Sequence, residues 1–139
     1  MTAGGRTVCA MQQQTTKPIR VVIAAGASLR RTLHDGISRA GMQIEAECAD
    51  SGELLAAVAR LRPDVCVVDR ELRGGSLPAT AAITTPLRAP RVLIVGGRGA
   101  RAEVRAARLA GASDCAPADV GAEALAAAVA ALVREDKEE

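Results

Sequence analysis

The sequence predicts an α/β protein in which helices cover both faces of a five-stranded parallel sheet. Short β-branched runs alternate with segments of helical periodicity, and short loops join them. Residues 64–69 are almost continuously apolar, which is typical of a central strand buried on both faces. Such alternation favours parallel strands joined by right-handed crossovers. The flavodoxin-like order 2-1-3-4-5 suits a sheet of five strands.

The elements of the first half follow from local patterns. Residues 19–24 are rich in valine and isoleucine and predict the first strand. Residues 28–40 carry leucine and isoleucine at four-residue spacing and predict a helix. Residues 43–48 alternate in polarity and predict a second strand. A second helix opens at Ser51 and ends at Pro63, after which the apolar third strand begins.

The second half repeats the alternation with weaker signals. A glycine-rich turn leads to a weak helix over residues 77–83, and residues 91–95 predict the fourth strand. Residues 100–110 are helical in pattern, and residues 113–116 form a short fifth strand. Residues 122–133 predict the closing helix. In open parallel α/β sheets of this kind, the functional crevice lies at the carboxyl ends of the strands.

The chain divides into a flexible leader (1–18), one folded domain (19–134) and a charged tail (135–139). The leader lacks the apolar stretch of a secretory signal, and no apolar run approaches the ~18 residues of a membrane span. A net charge of +2 does not by itself argue for nucleic acid or a membrane surface. We therefore expect a cytoplasmic protein.

The four cysteines, Cys9, Cys48, Cys66 and Cys115, show neither C-x-x-C spacing nor paired histidines. Three of them lie in apolar strand-like runs, where a free cysteine behaves as a small hydrophobic residue. Core filling is therefore the favoured role over metal or redox chemistry, and we expect no metal site and no cofactor.

Three motifs carry a resemblance to a known family. Residues 61–69 read LRPDVCVVD and are similar to the LRPDVVLLD motif of receiver domains in DNA-binding response regulators. Residues 77–83, LPATAAI, resemble the LEATRRI of their third helix, and residues 109–114 resemble the AGAxG that enters their fifth strand. The resemblance covers residues 19–133, about four-fifths of the chain. It implies the receiver-type α/β fold and a role in two-component signalling.

The resemblance also implies a phosphorylation pocket that has degenerated. The family's phosphoacceptor matches Asp69, but the acidic pair after strand one falls on Ala25 and Gly26. The family's hydroxyl after strand four falls on Gly96, its lysine after strand five on Ala118, and its aromatic switch residue on Cys115. One carboxylate is a poor site for a hard divalent cation, which needs several oxygen ligands. We expect weak or absent Mg²⁺ binding and negligible phosphoryl transfer.

Arginines recur at helical spacing towards the end of the chain and predict a basic stripe on the fourth helix: Arg98, Arg101, Arg105 and Arg108. In receivers this helix, with strand five and helix five, contacts partners or a second copy. The stripe is either such a partner surface, for an acidic protein or nucleic-acid phosphate, or a solvated helix face. We expect a protein partner or a homodimer, and no direct nucleic-acid binding by this domain.

Three functions remain open at this point. The leading one is an atypical receiver (a pseudo-receiver) that acts through protein contacts with phosphorylation weak or absent. The second is a phosphorylatable receiver of a transcriptional regulator, and the third a small-ligand sensor using a crevice beside Asp69. Asp69 itself is a surviving phosphoacceptor, an anchor for the emptied pocket, or a strand-end carboxylate facing solvent. No nucleophile–base pair can be placed, so we do not expect an enzyme.

Overall fold

A computed structural model of the chain describes residues 17–138. Five parallel strands form one sheet in the order β2-β1-β3-β4-β5, which confirms the predicted fold class and order. The strands are β1 Arg20–Ala24, β2 Gln43–Cys48, β3 Val65–Asp69, β4 Arg91–Val95 and β5 Asp114–Ala116. The helices are α1 Ala27–Arg39, α2 Ser51–Leu61, α3 Ser76–Thr84, α4 Arg101–Leu109 and α5 Ala122–Glu138. The predicted leader lies outside the described residues except for its last two positions.

Two hydrophobic clusters cover the two faces of the sheet. On one face, alternate residues of the central strands such as Ile23 and Val67 pack against Leu33 of α1 and Leu125 of α5. On the other face the intervening residues pack against helices α2, α3 and α4. Because β1, β3 and β4 are buried on both faces, their sequences are continuously apolar rather than alternating.

The last helix differs from its predicted end. It was expected to stop at Val133, yet α5 continues to Glu138. Residues 134–138 contain neither glycine nor proline, and arginine, glutamate and lysine are good helix formers. The other elements begin and end within one or two residues of the predicted bounds.

Cysteines contribute to the core as expected. Cys48 and Cys66 are buried, Cys115 is half-buried, and all three are free thiols. Burial raises the pKa of Cys48 to about 11 and the pKa of Cys66 to about 12. Both thiols are therefore neutral at pH 7, as expected of core residues. Cys9 lies outside the described residues.

Within residues 17–138 no helix has the length and apolar character needed to cross a membrane.

Candidate functional site at the carboxyl ends of the strands

Asp69 is the last residue of β3 and pairs with Val95 of β4, so it lies at the carboxyl edge of the sheet. Both of its carboxylate oxygens accept backbone hydrogen bonds. The N–H of Gly26 donates to Oδ2 at 3.2 Å, and the N–H of Glu71 donates to Oδ1 at 2.9 Å. The half-buried carboxylate thus ties the β1–α1 loop to the β3–α3 loop. This is the geometry of an anchoring residue.

Ala25 and Gly26 form the junction between β1 and α1. Ala25 is fully buried, and its carbonyl oxygen accepts a hydrogen bond from the Arg30 guanidinium at 3.1 Å. Gly26 occupies the position before the first turn of α1 with an extended backbone, and no side chain caps this helix. A Cβ on Gly26 would lie 3.8 Å from Asp69 Oδ2, an ordinary contact distance. A side chain at position 26 would therefore sit beside the Asp69 carboxylate.

This edge of the sheet does not fit the divalent cation that the resemblance implies. Hard cations such as Mg²⁺ bind several oxygen ligands. Ala25 and Gly26, which match the acidic pair, supply no side-chain oxygen, and both oxygens of Asp69 already accept hydrogen bonds. Among the described side chains, residues 17–134, no group of three or more histidine, cysteine or acidic residues is arranged to hold a metal ion.

The β4–α4 loop begins at Gly96, which matches the family's hydroxyl position. Its N–H donates to the carbonyl oxygen of Ala116 at 2.8 Å, which joins the loop to β5. Its φ of +128° is a conformation that favours glycine, and an added Cβ would lie 3.1 Å from Arg70 Cβ. Gly96 therefore allows the β3–α3 loop to approach, and it supplies no hydroxyl.

A carboxylate from α4 closes this loop. Glu103 Oε1 accepts hydrogen bonds from the backbone N–H of Arg98 at 2.8 Å and of Ala100 at 3.2 Å. The hydrogen bond from Arg98 is the main reason that the pKa of Glu103 is lowered from its usual value. Gly97, at φ +79°, leaves room for this carboxylate, since a Cβ there would lie 2.7 Å from Oε1. The carboxylate of Glu103 thus satisfies backbone N–H groups of this glycine-rich loop.

Arg70 extends this connection across the sheet edge. Its Nε lies 4.0 Å from Glu103 Oε2, and both side chains are about a quarter exposed. The residue after Asp69 is therefore paired with α4. Sequence reasoning missed Glu103, although a glutamate three residues after a helix N-cap is a known capping signal.

Cys115 and Ala118 complete the predicted positions. Cys115 lies in β5 opposite Ile94 and is half-buried, and burial raises the pKa of its thiol. Ala118 is exposed at the start of a 3₁₀ turn, Ala118–Val120. The cavity that adjoins Gly96 and Cys115 measures only about 50 Å³, and neither Gly26 nor Asp69 lines it. The structure therefore places Gly26 in contact with Asp69. The other predicted positions, Gly96, Cys115 and Ala118, lie along the same carboxyl edge of the sheet.

The basic stripe is shorter than predicted. Arg101, Arg105 and Arg108 lie on α4 and are exposed, but Arg98 lies in the preceding loop. The correction follows from the glycines on either side of Arg98, both at positive φ, which keep this segment out of the helix. Arg108 approaches Asp114 at 3.9 Å, with both side chains more than half exposed, so this pair contributes little stability. Leu109, next to Arg108, is 80% exposed.

Comparison with known proteins shows what this arrangement resembles. No protein-family model matches the chain, and no curated protein sequence does either. Among solved structures, the signal receiver domain of the response regulator NarL from Mycobacterium tuberculosis is 24% identical, with a TM-score of 0.78. The match covers 86% of this chain and 98% of that domain.

Two further structures give the same result. A two-component response regulator of the LuxR family from Aurantimonas sp. SI85-9A1 is 27% identical with a TM-score of 0.76, over 86% of this chain and 87% of that one. A CheY-like receiver domain protein from Methanospirillum hungatei JF-1 is 17% identical, with a TM-score of 0.77. That match covers 88% of this chain and 100% of the other protein. The chain therefore has the fold of response-regulator receiver domains.

Proposed function

We propose that this chain is an atypical receiver domain that signals through protein–protein contacts, with phosphorylation of Asp69 weak or absent. The observation that carries the proposal is the state of the Asp69 carboxylate. Its two oxygens accept hydrogen bonds from the backbone N–H groups of Gly26 and Glu71, and Ala25 and Gly26, at the positions of the family's acidic pair, supply no second carboxylate. We expect Mg²⁺ to bind weakly or not at all, because a single carboxylate cannot replace several oxygen ligands.

The β4–α4 loop supports the same proposal. A receiver that switches must let this loop respond to the phosphoryl group, which requires a ligand from the loop. Here Gly96 has no hydroxyl, and Glu103 already satisfies the loop's N–H groups at Arg98 and Ala100. Ala118, at the position of the family's lysine, has no cation to pair with a phosphoryl oxygen. We infer a fixed loop in place of a phosphorylation switch.

Incubation with acetyl phosphate and Mg²⁺, followed by intact mass measurement, tests this proposal. We expect no adduct on the wild-type chain. An adduct of about 80 Da on the wild-type chain that is absent from Asp69→Asn would identify Asp69 as a working phosphoacceptor. That outcome would support the alternative, a phosphorylatable receiver of a transcriptional regulator.

For the contact surface we propose the exposed face of α4, defined by Arg101, Arg105, Arg108 and Leu109. The three arginines share this face with the exposed Leu109, and the Asp114 carboxylate approaches Arg108. Such a face fits a protein surface that presents carboxylates around an apolar centre. The contact is to a protein partner or to a second copy of the chain, and we propose no direct nucleic-acid binding.

Sedimentation velocity distinguishes these two kinds of contact. If the face joins two copies, the wild-type chain sediments as a dimer, and Arg101→Glu with Arg105→Glu shifts it to monomer by placing repulsive charge in the contact. Arg31→Glu with Arg39→Glu, the same charge change on α1, is the matched control. A dimer unaffected by the α4 variant would contradict this location for the contact.

Two broader assignments accompany the proposal. We propose that the domain is not an enzyme, since the residues at the carboxyl edge offer no activated nucleophile. We also propose a reducing, cytoplasmic location, since Cys48, Cys66 and Cys115 are free thiols.

A further inference from the structure

A cavity of about 420 Å³ opens at the amino-terminal edge of the sheet, opposite Asp69. It lies between the last turns of α2 and α3 and the loop that precedes β4. Val58, Ile83 and Pro86 line its interior, and the other apolar lining residues are alanine and proline. Its volume lies in the range of small-molecule sites, about 300–1,000 Å³.

Two cations lie at this apolar cavity without an opposing charge. Arg62 and Arg88 line it, and no acidic side chain among residues 17–134 does. Neither guanidinium makes a hydrogen bond or ion pair with that part of the chain. A neighbouring cavity of about 570 Å³ shares both arginines, and Asp64 and Arg91 also line it. The first cavity thus combines an apolar interior with positive charge at its rim.

The backbone of Arg62 is fixed in an uncommon conformation at the rim. Its φ is +49°, and it is the one non-glycine residue with a positive φ in the described part of the chain. Its N–H donates to Val58 O at 3.0 Å, and its carbonyl oxygen accepts from the Arg20 guanidinium at 3.0 Å. Pro63 is buried, and its ring restricts the backbone conformation of Arg62, the residue before it. The backbone that carries the Arg62 side chain is therefore held in place at the rim of the cavity.

We propose that this cavity binds a small amphipathic carboxylate, with the apolar body between α2 and α3 and the carboxylate at Arg62 and Arg88. The apolar interior excludes a purely polar ligand, and the two arginines select an anion over a neutral molecule of the same shape. The site is independent of Asp69, so the inference stands whether or not the domain is phosphorylated.

Decanoate and 1-decanol are suitable probes because they share an alkyl chain and differ in charge. In titrations followed by amide NMR, decanoate should shift the signals of Val58, Ile83 and Ala89 and leave Gly26 unchanged. We expect 1-decanol to bind at least about tenfold more weakly, since a charge-assisted hydrogen bond contributes roughly 1.5–3 kcal/mol. Equal binding of the two probes, decanoate shifts centred elsewhere, or no decanoate shifts at millimolar concentration would overturn the proposal.

Substitutions separate the site from non-specific binding. Arg62→Gln and Arg88→Gln should each weaken decanoate binding roughly tenfold, whereas Arg31→Gln, the same change on the exposed face of α1, should leave it unchanged. Ala59→Met extends an exposed helical residue that lines the cavity and should abolish binding by filling it. Methionine is a good helix former, so this variant should retain the wild-type circular dichroism spectrum and melting temperature. Retained decanoate binding in a folded Ala59→Met chain would place the ligand elsewhere.

Discussion

Thr80 carries a polar group in the core that lacks a partner. Its side chain is fully buried in α3, and its Oγ1 makes no hydrogen bond within residues 17–138. A buried hydroxyl without a partner costs stability, because the hydrogen bonds it makes to water in the unfolded chain are not replaced. The residue therefore offers a direct measurement of this cost.

Thr80→Val should stabilise the domain by about 1 kcal/mol, since valine keeps the shape and removes the unsatisfied hydroxyl. Thr84→Val is the matched control, because the Thr84 hydroxyl donates to Thr80 O at 2.7 Å and should cost about 1 kcal/mol when removed. Urea unfolding followed by circular dichroism measures both, since the chain has no tryptophan or tyrosine for fluorescence. A destabilised Thr80→Val would show that the hydroxyl has a partner.

The β4–α4 loop shows how one side chain determines the state of a whole connection. Glu103 accepts hydrogen bonds from two backbone N–H groups before the helix and pairs with Arg70 from the neighbouring loop. The negative charge at the first turn of α4 also interacts favourably with the helix dipole. The loop's conformation therefore depends on the ionisation of Glu103.

Acid should remove the contribution of Glu103. In the folded chain the pKa of Glu103 is lowered from its ordinary value of 4.5. The Glu103 carboxylate therefore binds a proton less readily in the folded state than in the unfolded state. Its stabilising effect is complete above the unfolded pKa and is lost as the pH falls through the folded pKa. Glu103→Gln should therefore have a lower melting temperature than wild type at pH 7, and the difference should narrow as the pH falls through the folded-state pKa of Glu103.

Circular dichroism melts across this pH range test the prediction. Glu71→Gln is the control, because it makes the same charge change on an exposed side chain. Glu71 contacts Asp69 only through its backbone N–H, which the substitution keeps. A Glu103→Gln difference that stays constant with pH would show that the hydrogen-bonded carboxylate is not the source of the effect.

Across the whole molecule, sequence patterns predicted the fold better than the contacts between elements. Continuous apolar runs such as residues 65–68 identify buried central strands, because burial on both faces leaves no polar position. The pairing of Arg70 with Glu103 joins residues from different loops, and no local pattern encodes that distance. Arg98 was misplaced because its spacing matches a helix, while the glycines beside it set the backbone.

The proposal that this receiver-like fold lacks a cation site can be tested at position 26 by introducing one carboxylate. Gly26→Asp should fold, because the backbone there is extended, aspartate is a favourable N-cap, and a Cβ lies 3.8 Å from Asp69 Oδ2. It places a second carboxylate beside Asp69, where the two repel one another without a cation. Mg²⁺ should then raise the melting temperature by mass action. At a concentration of about ten times its dissociation constant, it should add about 1.4 kcal/mol to the free energy of unfolding. We expect no such shift in wild type or in Gly26→Asn, which keeps the shape without the charge. An equal Mg²⁺-induced rise in the melting temperature of wild type would mean that Asp69 alone binds the cation. No rise in Gly26→Asp would mean that the absence of a carboxylate at position 26 does not explain the lack of Mg²⁺ binding.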